Sequence, residues 1–183
     1  MSGVEAVLVR HGRSTANLKG IWQGRLDYEL SSEGREQARR AGRGGGVFSL
    51  VATSNPSARD LQGAGEPPLF ERAARLVAGL GEASGDYSDA GAVVGATRPE
   101  VGARVRELMP EALFLVPGFG VQGGSAEGIA KMLDRRGGGV LVNSSRGILY
   151  AYEPAGAGGD YRTLARQAAA ESRRALREAG ARS

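Results

Sequence analysis

Five short apolar runs, each closed by turn residues, constrain this chain more than any other feature. Residues 4–9 (VEAVLV), 47–53 (VFSLVAT), 90–97 (AGAVVGAT), 112–116 (ALFLV) and 139–142 (GVLV) each have the length of a strand. They stop at Arg10-His11-Gly12, Ser54-Asn55-Pro56, Arg98-Pro99-Glu100, Pro117-Gly118 and Asn143-Ser144-Ser145. None of them reads as the apolar–polar alternation of a sheet with one wet face, so the pattern predicts a parallel sheet covered on both sides. Helical stretches lie between the runs. Ser31 or Ser32 is a plausible N-cap for one through Arg40. Pro67-Pro68 precede another, with Leu69, Ala73, Leu76, Val77 and Leu80 as its apolar face. Further helices are predicted at 99–108, with Pro99 suited to a first turn, at 125–133 and at 160–179. Residues 155–159 read as a loop, and the fold class is α/β.

Composition removes several kinds of chemistry. Cysteine is absent, which excludes disulfides, thiolate catalysis and cysteine metal sites within this sequence. His11 is the single histidine, so neither a histidine pair nor a multi-histidine metal centre can come from one copy. The formal charge is +4, but the basic residues are scattered, and 22 of the 24 are arginine. Such a spread predicts no nucleic-acid partner. No apolar run reaches the length of a membrane span, and the opening residues do not read as a signal peptide, so the expectation is a cytoplasmic protein with no membrane partner. Lys19 and Lys131 are the two lysines.

The glycine-rich break at 43–46 separates two stretches of different motif content. Before it, Arg10-His11-Gly12-Arg13-Ser14-Thr15-Ala16-Asn17 follows the first run directly, and Trp22-Gln23-Gly24-Arg25 and Gly34-Arg35-Glu36-Gln37-Ala38 come after. Over about residues 3–42 this resembles the opening of the histidine phosphatase and phosphoglycerate mutase superfamily. The resemblance implies a phosphotransfer reading, with His11 as nucleophile and Arg10 and Asn17 as phosphate ligands. That superfamily also uses a second histidine late in the chain, which this sequence lacks.

After the break, an ordered series runs through Thr53-Ser54-Asn55-Pro56, Asp60-Leu61-Gln62, Val93-Val94-Gly95-Ala96-Thr97, Pro117-Gly118-Phe119-Gly120, Gln122-Gly123-Gly124 and Asn143-Ser144-Ser145-Arg146-Gly147. Its order and spacing resemble the C-terminal half of orotidine 5′-phosphate decarboxylase of the longer bacterial type. The resemblance implies a partial (β/α)8 barrel, strands 5–8, preceded by one extra βα unit, with segments 1–43 and 44–183. It assigns Gln122, Gly123, Gly124 and Arg146 to a phosphate, with Ser145 close by and Ser54 near the pyrimidine edge. Loops after strands 7 and 8 are a frequent phosphate position in such barrels. Glycines there allow close backbone approach, and an arginine offers a fork-shaped permanent charge.

The family implied is a lyase of pyrimidine biosynthesis that converts OMP to UMP and carbon dioxide with no cofactor or metal. Its catalytic Asp-x-Lys-x-x-Asp segment is not found in these 183 residues, since neither Lys19 nor Lys131 sits in that pattern. No residue is therefore assigned to decarboxylation, and the chain alone is expected to be inactive. Its expected partners are a nucleotide (OMP or UMP) or phosphate, and either a second copy or a complementing half-barrel chain, because an open half-barrel exposes strand edges. A non-catalytic phosphate-binding fragment is the remaining alternative.

Overall fold

The computed structural model describes residues 31–33, 35–36, 46–55, 57–151 and 160–182. The run at 4–9, the 10–17 motif with Arg10, His11 and Asn17, the loop at 155–159 and much of the helix expected through Arg40 lie outside the described residues. Residues 32–33 and 35–36 are helical, and Ser31 is buried with its carbonyl accepting from the Arg35 N–H at 2.9 Å. The chain divides into two compact units, Met1–Val47 and Phe48–Ser183.

In the second unit the order is β1 (Val47–Ala52), α1 (Ala58–Gln62), α2 (Leu69–Leu80), β2 (Ala83–Ser84), β3 (Tyr87–Val94), α3 (Pro99–Leu108), β4 (Ala112–Pro117), α4 (Ala126–Ala130), β5 (Val140–Asn143), α5 (Ser145–Leu149) and α6 (Tyr161–Glu178). The sheet order is β1-β3-β4-β5, four parallel strands, with β2 added antiparallel on β3. Helices bridge each parallel step, as βα crossovers require.

Register explains the core. Ala92 and Val93 of β3 stand opposite Phe114 and Leu115 of β4, which stand opposite Val140 and Leu141 of β5. Ala92, Phe114 and Val116 are fully buried against Val101, Val105 and Met109 at the helix layer. The other face carries Val93, Leu115 and Leu141, which are half-buried. β4 thus alternates strictly between buried and half-buried positions. Among the described residues the second face is thus less covered than the helix-packed one.

Several boundaries move. The run expected at 90–97 forms three residues earlier, as β3 at Tyr87–Val94, and the 125–133 helix shortens to α4, capped by the Ser125 hydroxyl accepting from the Gly128 N–H at 3.0 Å. In α2 the buried face is Phe70, Ala74 and Val77. Leu69, Leu76 and Leu80, expected inside, are 39%, 66% and 72% exposed. Asp134 lies beyond α4 with a side chain only 5% exposed.

That aspartate belongs to a polar knot at the amino ends of the strands. Its Oδ1 accepts from the Arg136 and Gly138 N–H groups, at 2.8 and 2.9 Å, and its Oδ2 accepts from the Tyr87 hydroxyl at 3.0 Å. Burial works against the carboxylate, but these donors and the Arg136 charge outweigh it and hold its pKa below the ordinary value. Burial, then the bond to Asp134, pushes the Tyr87 phenol up. Arg106, 8% exposed, is the cation at the centre. Its guanidinium donates to the carbonyls of Met132 (2.8 Å), Met109 (3.1 Å), Ala112 (2.6 Å) and Gly139 (2.8 Å), and it stacks 3.7 Å over the Phe114 ring. Burial lowers its pKa to about 10, which leaves it charged at neutral pH.

Candidate functional site

Those residues singled out from the sequence that fall after residue 44 all follow carboxyl ends of parallel strands. Ser54 comes after β1, Gln122, Gly123 and Gly124 sit in the loop after β4, and Ser145 and Arg146 open the first turn of α5 after β5. In open or closed parallel α/β sheets this is the end at which ligands bind.

Local geometry brings the three loops into contact. Gly118 (φ +97°) starts the loop after β4, and a β-carbon there would lie 3.3 Å from the Gln122 Oε1 and 3.8 Å from the Ser54 β-carbon. Ser54 and Gln122 therefore flank one glycine. Gly124 folds back, its N–H donating to the Gly118 carbonyl at 3.0 Å, and a β-carbon on it would overlap the Ala96 methyl. The Ser144 hydroxyl donates to the Phe119 carbonyl at 2.9 Å, tying the turn after β5 to the loop after β4. The Thr97 hydroxyl donates to the Ser54 carbonyl at 3.1 Å, tying the loop after β3 to the end of β1.

The available donors differ from the sequence expectation. The glycine N–H groups expected to be open are partly engaged, since Gly123 donates to the Gly120 carbonyl at 2.7 Å and Gly120 to the Gly124 carbonyl at 2.9 Å. These glycines shape the loop. Among the described residues, the Gln122 side chain makes no hydrogen bond and the Arg146 guanidinium has neither hydrogen bond nor ion pair, and both are exposed. Ser145 is less free, its hydroxyl donating to the Asn143 Oδ1 at 3.0 Å. No hydrogen bond joins Arg146 to Gln122 or Ser54, so the loops touch while their polar tips remain separate.

Sequence reasoning passed over Arg98, which it used only to mark the start of α3. The side chain is 13% exposed, its Nε and Nη1 are buried without a hydrogen-bond partner among the described residues, and its Nε lies 3.9 Å from a Glu100 carboxylate oxygen. A buried cation with unused donors is costly, and its place at the carboxyl end of β3 puts it on the same side of the sheet as the other loops. The signal in the sequence was an arginine between a strand-end threonine and a helix-opening proline, where a charge has little room to reach solvent.

The arrangement can hold an anion: a guanidinium and an amide side chain on adjoining turns, over backbone that only glycine permits.

Comparison with known proteins agrees with both resemblances. The profile of the histidine phosphatase superfamily (branch 1) matches residues 6–55. That match continues past residue 42 and through β1, a stretch the sequence reading gave to the second segment. The orotidine 5′-phosphate decarboxylase of Caldicellulosiruptor bescii is 49% identical over 113 residues, covering 59% of this chain and 37% of the relative. That of Delftia acidovorans is 43% identical over 144 residues, covering 75% of this chain and 50% of the relative. Among solved structures, UMP synthase of Leishmania donovani superposes with a TM-score of 0.59 at 36% identity, over 80% of this chain and 31% of that one. OMP decarboxylase of the same organism gives 0.55 at 30% identity, over 80% and 54%. The chain thus spans about half or less of the length of the relatives it matches. Over most of its length it is a partial relative of the orotidine 5′-phosphate decarboxylases, and its amino end carries a match to the histidine phosphatase superfamily.

Proposed function

We propose that residues 44–183 are a nucleotide-binding half-barrel of the orotidine 5′-phosphate decarboxylase type, which takes UMP or OMP by its phosphate and does not decarboxylate alone. Residues 1–43 are a separate segment of histidine-phosphatase type. The observation that carries the reading is the junction of the loop after β4 with the turn after β5. It leaves Gln122 and Arg146 unengaged at adjacent strand ends, held by the Ser144–Phe119 bond. Arg146 supplies the charge and Gln122 a neutral donor to the phosphate oxygens, with Ser145 beside them and the glycines setting the backbone. Ser54, flanking Gly118 opposite Gln122, faces the base-bearing end of the ligand.

Remote phosphate binding in an enzyme promotes chemistry only when reacting groups are in place. The Asp-x-Lys-x-x-Asp segment would have to come from another polypeptide segment, so the described strands act as the phosphate half of a larger site. The reading also supplies the partner, another half-barrel that covers the open face, and a cytoplasmic setting in pyrimidine biosynthesis.

The test is thermal unfolding of the purified chain with and without millimolar UMP. A ligand that binds only the native state raises the midpoint. The expected result is a rise that disappears in Arg146→Ala, with no carbon dioxide released from OMP by the chain alone. A midpoint unmoved by UMP in a protein that unfolds cooperatively sinks the reading.

A further inference from the structure

We propose that two copies of this chain close into one eight-stranded parallel barrel about a two-fold axis along the barrel, β1 of each copy pairing with β5 of the other. This rests on the half-barrel reading above and names its partner. The four parallel strands end, among the described residues, in β1 on one side and β5 on the other. A rotation about the barrel axis keeps all strands parallel and joins each unlike pair of edges, so one symmetric step closes the ring with no edge left over. Four strands from each copy make eight, the number whose interior side chains just fill. The half-buried row of Val93, Leu115 and Leu141, with the Phe48 ring in the space a side chain on Gly91 would occupy, becomes that interior.

The exposed apolar side chains lie where this closure needs them. On α2, Glu71 pairs with Arg104 of α3 at 2.8 Å, which marks the side of the helix turned toward α3. Leu69, Leu76 and Leu80 occupy the other side of the buried face, away from α3 and toward the β1 edge of the described sheet. Leu61 of α1, 68% exposed, continues that flank, while Leu50 of β1, 65% exposed, shares the Phe48 face of its strand and is covered when the ring closes. At the β5 flank, Leu149, Tyr150 and Tyr161 are 62%, 48% and 56% exposed. In the closed ring the β1 flank of one copy meets the β5 flank of the other, twice. Closure draws on eight large apolar side chains per copy, each at least 39% exposed, as an interface of the stable class of roughly 1,200–2,000 Å² requires. A single copy of the same chain carries both halves of the junction, which favours a second copy over an unrelated partner.

The experiment is sedimentation equilibrium of the full chain beside a Leu76→Glu, Leu80→Glu variant and a Leu149→Glu variant, with circular dichroism on each. Because these side chains already face water, the variants keep the wild-type helical signal. The expected result is a dimer for wild type and at least a tenfold weaker dimer for each flank variant. Mixing the two flank variants restores one of the two junctions and gives partial recovery. A folded monomer at high micromolar concentration overturns the proposal, as does a dimer that neither flank variant weakens. Association only after adding a chain that bears the Asp-x-Lys-x-x-Asp half overturns it in favour of that partner. UMP binding is read separately on the same samples. A dimer without UMP binding keeps the closure and sinks the nucleotide reading, while UMP binding by a monomer does the reverse.

Discussion

The two ends of the sheet each hold a nearly buried arginine, and the two are used in opposite ways. At the amino end Arg106 donates to carbonyls of Met109, Ala112, Met132 and Gly139 and stacks on Phe114. At the carboxyl end Arg98 keeps Nε and Nη1 buried with no hydrogen-bond acceptor among the described residues. Around Arg106 the remaining charges also satisfy one another, with Asp134, Tyr87 and Arg136 joined and Arg136 reaching Asp86 at 3.1 Å. At the same end the donors of Gln122 and Arg146 are unengaged among the described residues. One end of a βα sheet can thus be devoted to holding the fold while the other keeps polar groups unsatisfied for a ligand, which is the division of labour between barrel faces.

The largest effect expected from breaking this contrast is at the amino end. Arg106→Met retains the stem and removes every donor, stranding buried carbonyls, so urea unfolding should show a loss of about 3–5 kcal/mol. A loss below about 1 kcal/mol would mean the knot is decoration. At the other end Arg146→Ala should leave the ligand-free midpoint within about 0.5 kcal/mol of wild type. It should weaken UMP binding by about 10- to 100-fold in titration calorimetry, as expected for a charge-assisted bond. Unchanged affinity would remove Arg146 from the site.

Arg98 sharpens the comparison by its sign. Arg98→Met replaces a mostly buried cation that has two donors without hydrogen bonds among the described residues and one long ion pair to Glu100 with an apolar side chain of similar reach, so stability should rise by about 1–2 kcal/mol, the opposite of Arg106→Met. A fall of that size would show that its donors are satisfied in the native protein. The smallest effect is in pH. The folded pKa of Asp134 is depressed, so its contribution is complete above the unfolded value and is lost as pH falls through the folded one. Urea midpoints measured from pH 6 downward should therefore drop below about pH 4, and Asp134→Asn should remove part of that slope. Parallel curves for the two proteins would assign acid sensitivity elsewhere.

The sheet was legible because a buried parallel strand needs an apolar run, and β1, β4 and β5 lie within a residue or two of those runs. The loops were legible because glycines and serines at strand ends have few other uses. What the sequence concealed was contact made at long range. Arg106 sits in a helix rich in charge, and nothing nearby reveals that the Gly139 carbonyl, 33 residues on, accepts from it. The stripe on α2 was visible as a period, but a period does not say which of two adjacent faces meets the core. Leu69, Leu76 and Leu80 look like core residues for a reason consistent with closure by another half-barrel. The short hairpin of β2 with β3 and the five-residue helices α1 and α5 carry too few residues for any period to show. At the site, the sequence suggested which residues gather, while the engagement of the Gly123 and Gly124 N–H groups inside their own loop depends on backbone angles it does not display.

The Arg106 clasp has a consequence for how the molecule comes apart. It ties the end of α3, the start of β4, the turn beyond α4 and the approach to β5 to one side chain, so none of these can open while the others stay closed. Residues 99–140 should behave as one cooperative block whose amides exchange with solvent only through near-global opening. The helix α6 has no buried residue and carries arginines along its length. To a protease that cuts after arginine, this chain presents an easily trimmed tail and a resistant centre, and the cuts will stop where the clasp begins.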